Sequence, residues 1–305
     1  MWILYSIIGA FTQATEMAIK KKALQVKGMN NFIGFLAFTF AGLILGAVVL
    51  LTINENSFLI KDNFKFWEGV IATVILNVIA NYSLYKALDL TELSYLMPFF
   101  AFISLSVIIP PIFLFKEIPS FQAIAGIILV IAGAILIDYR KRNSNNDNSD
   151  KEKIKNNRKG KLLFIITAVC WTFSTPMTKV AVLAGSPVLV SALVNFLCGI
   201  SFMLLIYLFK DSEKIKNALN NFKNNEKRNF IIAILLAGIA IAIQIVSINT
   251  ALKYAPVSYV IAIKRTMPVF AFLIGFIYFK ERTNILKKLI ATVIMVAGAI
   301  IVGLS

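Results

Sequence analysis

The sequence predicts an all-α integral membrane protein of ten transmembrane helices, arranged as two inverted repeats of five. Three observations carry this expectation. The composition is apolar: 59% of the 305 residues are hydrophobic and 15% charged, with mean hydropathy +0.80, against roughly 45–50% apolar residues in soluble domains. Apolar runs recur along the whole chain, at 3–19, 32–53, 67–88, 93–115, 120–139, 161–182, 187–209, 230–252, 257–279 and 284–304. Each is close to the ~20 residues that cross a ~30 Å hydrocarbon core as a helix. One polar linker splits the runs five to five, and the two sides resemble one another. A β-barrel would show short alternating segments, whereas Ile124 to Ile137 is continuously apolar; helices satisfy the backbone groups that lipid cannot.

In chain order, the first run has no basic segment ahead of it and no A-x-A cleavage pattern before Lys20-Lys21-Lys22, so it is expected to stay in the mature chain. Gln13, Glu16 and Lys20 fall at i, i+3 and i+7 and form a polar stripe on it, with Glu16 the one acid well inside a span. In the second run Gly42 and Gly46 offer a small-residue surface for close helix packing or a homodimer contact. Asn77, Asn81 and Tyr85 repeat at i, i+4 and i+8 in the third run, a hydrogen-bonding face suited to a pathway lining or to bonding between helices. Glu117 and Glu281 each follow a Lys in a tight turn, where an acid favours the positive end of the following helix. Gly126 with Gly133, and Ala297-Gly298-Ala299, are further small-residue surfaces.

The linker, residues 140–160, is charged and Asn-rich and is expected to be disordered. In the sixth run Trp171, Thr175 and Lys179 share a face beside Pro176, which can kink the helix. Trp171 reads either as a wall against which a solute stacks or as an ordinary buried Trp. Cys170 and Cys198 lie inside spans as small apolar residues, and with no His in the chain no metal or disulfide pattern arises. Asn195, Gln244 and Asn249 are isolated amides of the kind that bridge helices. Lys264 and Arg265 stand near the middle of the ninth run, where an ionisable residue costs roughly 2.5–3.5 kcal/mol on insertion scales. Neighbours on a helix point about 100° apart, so one of them aims inward; Arg265 is favoured because Ser258 and Ala262 share its face. Tyr82, Tyr95 and Tyr259 could reach a cavity, although aromatic residues near span ends more often mark the interface belt.

Ala87-Leu88, Ser94-Tyr95 and Phe115-Lys116-Glu117 recur as Ala251-Leu252, Ser258-Tyr259 and Phe279-Lys280-Glu281 at a constant offset of 164. Residues 1–139 and 161–305 are therefore expected to be two repeats. Five helices in each inverts the second against the first, a signature of transporters. Counted loop by loop, Lys and Arg divide 24 to 5 between the two sides. That imbalance puts the linker in the cytoplasm and both termini outside.

Ala168-Val-Cys-Trp171-Thr-Phe-Ser-Thr-Pro-Met-Thr-Lys179 and the stretch from Lys264-Arg265-Thr266-Met267-Pro268 through Gly275 to Lys280-Glu281-Arg282 resemble the drug/metabolite transporter superfamily in its EamA branch. In the first half Ser104 stands where Pro268 would map, while Phe115-Lys116-Glu117 and Gly126 to Gly133 fit. The resemblance implies ten helices as two EamA repeats, both termini in the cytoplasm, and movement of small metabolites such as amino acids by alternating access.

A secondary transporter in the plasma membrane is the leading expectation. A cavity lined by Arg265 and Glu16 would suit a zwitterion, the guanidinium forking onto a carboxylate and the acid taking the ammonium; a structural bridge between the two is the other reading. Organic anions and phosphorylated solutes fit Lys264 and Arg265 nearly as well. With no Walker A loop, coupling would use an ion gradient or exchange, and Glu16 is the candidate proton carrier. No cofactor is called for. The positive charge of +16 flanks the spans rather than lining one face, which speaks against a nucleic-acid partner. A lipid-processing enzyme would show clustered acids or histidines, and a scaffold leaves the intramembrane charges unexplained.

Overall fold

Apolar runs become helices at nearly every position where the sequence places them. The computed structural model describes residues 1–23, 29–51, 60–90, 103, 106–138, 150–222, 224–277 and 285–305. Its helices are α1 (Trp2–Ala23), α2 (Asn30–Leu51), α3 (Asn63–Leu90), α4 (Ile109–Phe115), α5 (Phe121–Asp138), α6 (Asp150–Ala184), α7 (Pro187–Leu208), α8 (Ser212–Asn220), α9 (Asn224–Tyr254), α10 (Val257–Lys264), α11 (Met267–Ile277) and α12 (Ile285–Leu304). No strand occurs among the described residues. Six helical stretches are long and apolar enough to cross a membrane, and Phe121–Leu136 and Leu289–Leu304 are shorter apolar helices. Most of the fourth expected span, with Tyr95, and the turn carrying Glu281 lie outside the described residues.

The helices bury both small residues and a set of large ones, Phe66, Phe164 and Phe202 among them. Ala10, Ala37, Ala41, Ala80, Ala181 and Ala291 are fully covered, while Leu51, Phe113, Phe121 and Leu304 are exposed. Lipid is as apolar as Leu, so large side chains gain little from being hidden as such, and close helix approach through small residues supplies much of the packing.

The described chain forms two compact units, Met1–Val78 with Ser174–Ala255, and Ile79–Phe173 with Pro256–Ser305. In the first, α2 lies against α7, and α9 against α1, α2 and α7. Gly42 is used here: a Cβ on it would stand 2.6 Å from the backbone N of Phe196. Gly46, four residues on, faces open space. Lys61 N–H bonds Ala184 O at 2.7 Å, and Asn31 Nδ2 donates to Asp211 Oδ2 at 2.9 Å. Where the sequence suggests only a charged loop after α7, α8 folds as an amphipathic turn of helix: Ile215 is buried, and Leu219 and Phe222 pack against the same core.

In the second unit α5 and α12 cross at their glycines, and α10 packs on both. A Cβ on Gly126 would stand 2.8 Å from Gly298 O, and one on Gly298 2.7 Å from Gly126 O. The small-residue surfaces of these two runs are therefore contacts within the chain.

The ninth run departs from the single helix expected of it. It breaks into α10 and α11 at Arg265-Thr266. Pro268 explains the break: it lacks the N–H that would bond the carbonyl of Lys264, and its ring crowds that carbonyl. The backbone tightens into three-residue turns, with Thr266 N–H on Ile263 O and Val269 N–H on Thr266 O, both at 2.9 Å. Thr266 Oγ1 closes onto Ile263 O at 2.8 Å. The sixth helix also begins earlier than its apolar run, at Asp150, inside the stretch expected to be disordered.

Candidate functional site

Polar side chains at membrane depth collect in each unit along identifiable helices. In the first, α1 carries Gln13 and Glu16 half-buried on one stripe, as the i, i+3 spacing requires. Asn77 on α3 accepts a hydrogen bond from Ser174 Oγ at 2.9 Å, and one turn away Thr73 and Thr178 pair at 3.2 Å. These two bonds fix α3 against α6 beside the half-buried Thr175. Asn249 Nδ2 donates to Ser191 Oγ at 2.8 Å and so bridges α9 to α7, whereas Asn195 Nδ2 donates to Ser191 O at 2.7 Å within α7 itself.

One charged residue of this unit is buried. Lys179 looks like a charge flanking a span, yet only 6% of it is exposed, and its Nζ donates to Ala255 O at 2.8 Å, just past the end of α9. The sequence places it on one face with Trp171 and Thr175, while the loop-by-loop charge count sets it among the flanking lysines.

The second unit holds the remaining candidates. Tyr85 is buried and Asn81 half-buried on α3. Trp171 on α6 packs against the buried cluster of Leu84, Ala87, Ile103 and Phe164. Thr172 Oγ1 and Ser106 Oγ lie 2.6 Å apart, and Thr167 Oγ1 reaches Ala80 O at 3.1 Å. Ser258 is buried in the first turn of α10, and Lys264 ends that helix. Arg265, expected in mid-helix, is instead its C-cap, with φ −71° and ψ −2°. Its Nε is buried. Backbone whose helical bonding is interrupted at membrane depth occurs where it is enclosed by protein or lines a cavity. Here the break places Arg265 next to Thr266, with Pro268 leaving the Lys264 carbonyl without its helical donor.

The opposite end of α10 is held by an acid. Glu117 Oε2 accepts from Val257 N–H at 2.9 Å, so Glu117 caps a helix far along the chain rather than the α5 that follows it. Lys116 before it is left-handed, φ 58°, a conformation costing about 1–2 kcal/mol for a residue with a Cβ. Next to it Tyr259 OH accepts from Ser120 N–H at 3.3 Å, which ties that ring to the turn and not to a cavity. No group of three or more His, Cys, Asp or Glu that could hold a metal ion occurs among the described residues.

One solved protein, titled only "Crystal structure of protein", has the same fold: TM-score 0.73 over 98% of this chain and 96% of that one, at 16% sequence identity. No curated protein matches the sequence. The model of the EamA-like transporter family matches residues 1–139 and 158–304. With nearly its whole length covered, the chain belongs to the EamA-like transporter family, membrane transporters of small molecules.

Proposed function

We propose that this protein is a secondary transporter of the plasma membrane that moves a small zwitterionic metabolite, an amino acid or a close relative, by alternating access. The observation that carries the proposal is the break in the ninth run, which sets Lys264, Arg265 and Thr266 at the junction of two half-helices. Arg265 and Thr266 would receive the carboxylate. Glu16, with Gln13, would receive the ammonium and serve as the candidate proton carrier; Asn77, Asn81, Tyr85, Trp171, Thr175 and Ser258 would line the path.

Ten crossings as two inverted repeats fit the contacts between loops. Lys61 with Ala184, Asn31 with Asp211, and Glu117 with Val257 each join loops that a ten-span path puts on the same side. The charge imbalance then favours a cytoplasmic linker. A second reading, transport of organic anions or phosphorylated metabolites, draws on the adjacent positive charges of Lys264 and Arg265.

Counterflow in proteoliposomes separates the two. Pooled labelled amino acids and, separately, organic phosphates are offered to wild type, Arg265→Ala, Arg265→Lys and Glu16→Gln. Amino-acid movement abolished by Arg265→Ala and Glu16→Gln supports the zwitterion site, and its failure in Arg265→Lys supports bidentate recognition. Phosphate movement untouched by Glu16→Gln replaces it with the anion reading.

A further inference from the structure

The C-terminal end of α9 is built to hold a cation. The last carbonyls of any helix lack intrahelical donors and carry the negative end of its dipole. Here the shortage is deepened by sequence. Pro256 has no N–H for the carbonyl of Leu252, and the next N–H, of Val257, turns to Glu117 instead of back to Lys253. Into this end comes the ammonium of Lys179, carried by α6, with Nζ 2.8 Å from Ala255 O and the side chain almost wholly buried. In secondary transporters the carbonyl-rich ends of discontinuous helices hold coupling cations, and the end of α9 offers the same groups at its turn into α10.

We propose that Lys179 is a tethered cation: its ammonium permanently occupies a monovalent-cation site at the end of α9. This rests on the transporter reading above and adds to it that solute movement draws on neither a sodium nor a potassium gradient. Removing the side chain leaves a site for a small monovalent cation, with ammonium the best fit because it restores the same hydrogen-bonding group.

The test reads stability, so it stands apart from whether the right solute has been found. Purified wild type and K179A are melted in choline, ammonium, sodium and potassium chloride. K179A should melt below wild type in choline and recover in ammonium, by roughly 5–10 °C at a hundredfold excess over its Kd, while wild type is indifferent to the salt. K179M, whose stem fills the space without a charge, should show no recovery. Absence of any cation-dependent shift in K179A overturns the proposal. Should K179A yield no folded protein, wild type decides: stability or counterflow that needs sodium or potassium overturns it, and full performance in choline alone supports it.

Discussion

A double-alanine cycle at Gly126 and Gly298 tests how closely α5 and α12 must approach. Each missing Cβ would meet the other glycine's carbonyl oxygen, at 2.8 and 2.7 Å, and a Cβ on Gly298 would also stand 2.8 Å from the backbone N of Val130. These are backbone atoms and cannot rotate aside, so the helices must part by several tenths of an ångström to reach ordinary contact distance. A gap of about 0.5–1 Å forfeits a quarter to a half of each dispersion contact across the crossing, and overpacking of this kind costs about 1–3 kcal/mol. That is roughly fivefold to 150-fold in the folding equilibrium. Because both Cβ atoms press on one crossing point, the separation that admits the first admits the second, and the double variant should lose little more than either single one. Equilibrium unfolding in mixed detergent–SDS micelles, followed by Trp fluorescence, measures all three. Gly46→Ala is the control: its Cβ meets nothing, and it should be neutral or gain about 0.5–1 kcal/mol from helix propensity. A neutral Gly298→Ala, or strict additivity of the pair, refutes the packing argument.

Pro268→Ala restores the N–H that can bond the Lys264 carbonyl and so favours one continuous helix through Arg265. Thermal stability should rise and counterflow should fall; a variant that changes neither removes the break from the mechanism. Glu117→Ala leaves the first N–H of α10 without its carboxylate and should cost about 0.5–2 kcal/mol in thermal unfolding. Glu117→Gln, which keeps an acceptor oxygen, should recover part of that loss, and an Ala variant as stable as wild type would rule the cap out.

Helices were legible because a bilayer demands one thing of them, length in apolar residues. α2, α7 and α12 lie close to the bounds their apolar runs give. Which face of each points inward was hardly legible, since Ile75 and Val293 toward the outside are as apolar as Val74 and Met295 within. Polar spacing did better: Asn77 and Tyr85 are on protein-facing positions of α3, as their spacing requires. The errors came at helix ends. Pro268 was in view but counted as a family marker and not as the reason a span would break, and Lys179, though placed on a face of the sixth run, was also counted among the loop charges. The partner of Glu117 was beyond reach, because Val257 lies in the other half of the sequence and no local signal links them. The same holds for the compact units, each of which draws on both halves of the chain.

Helix ends also explain why this chain tolerates charge at depth. α10 is only eight residues long, yet it carries an acid at its N-terminus, Glu117, and bases at its C-terminus, Lys264 and Arg265. Each charge faces the dipole end that favours it. Lys179 meets the C-terminal end of α9 in the same sense. A buried ion in hydrocarbon needs a fixed dipole or a counter-ion; Pro268, which breaks the ninth run, creates such a dipole within a span, and Pro256 creates one at the turn between two. The prolines and the charges are then one device: the first expose carbonyls and N–H groups, the second occupy them. Arg265 stands at the break beside Thr266, whose hydroxyl closes onto Ile263 O. This place within a span, rather than at the turn between two, is the ground on which the proposed site gives the solute to Arg265 and not to Glu117 or Lys179.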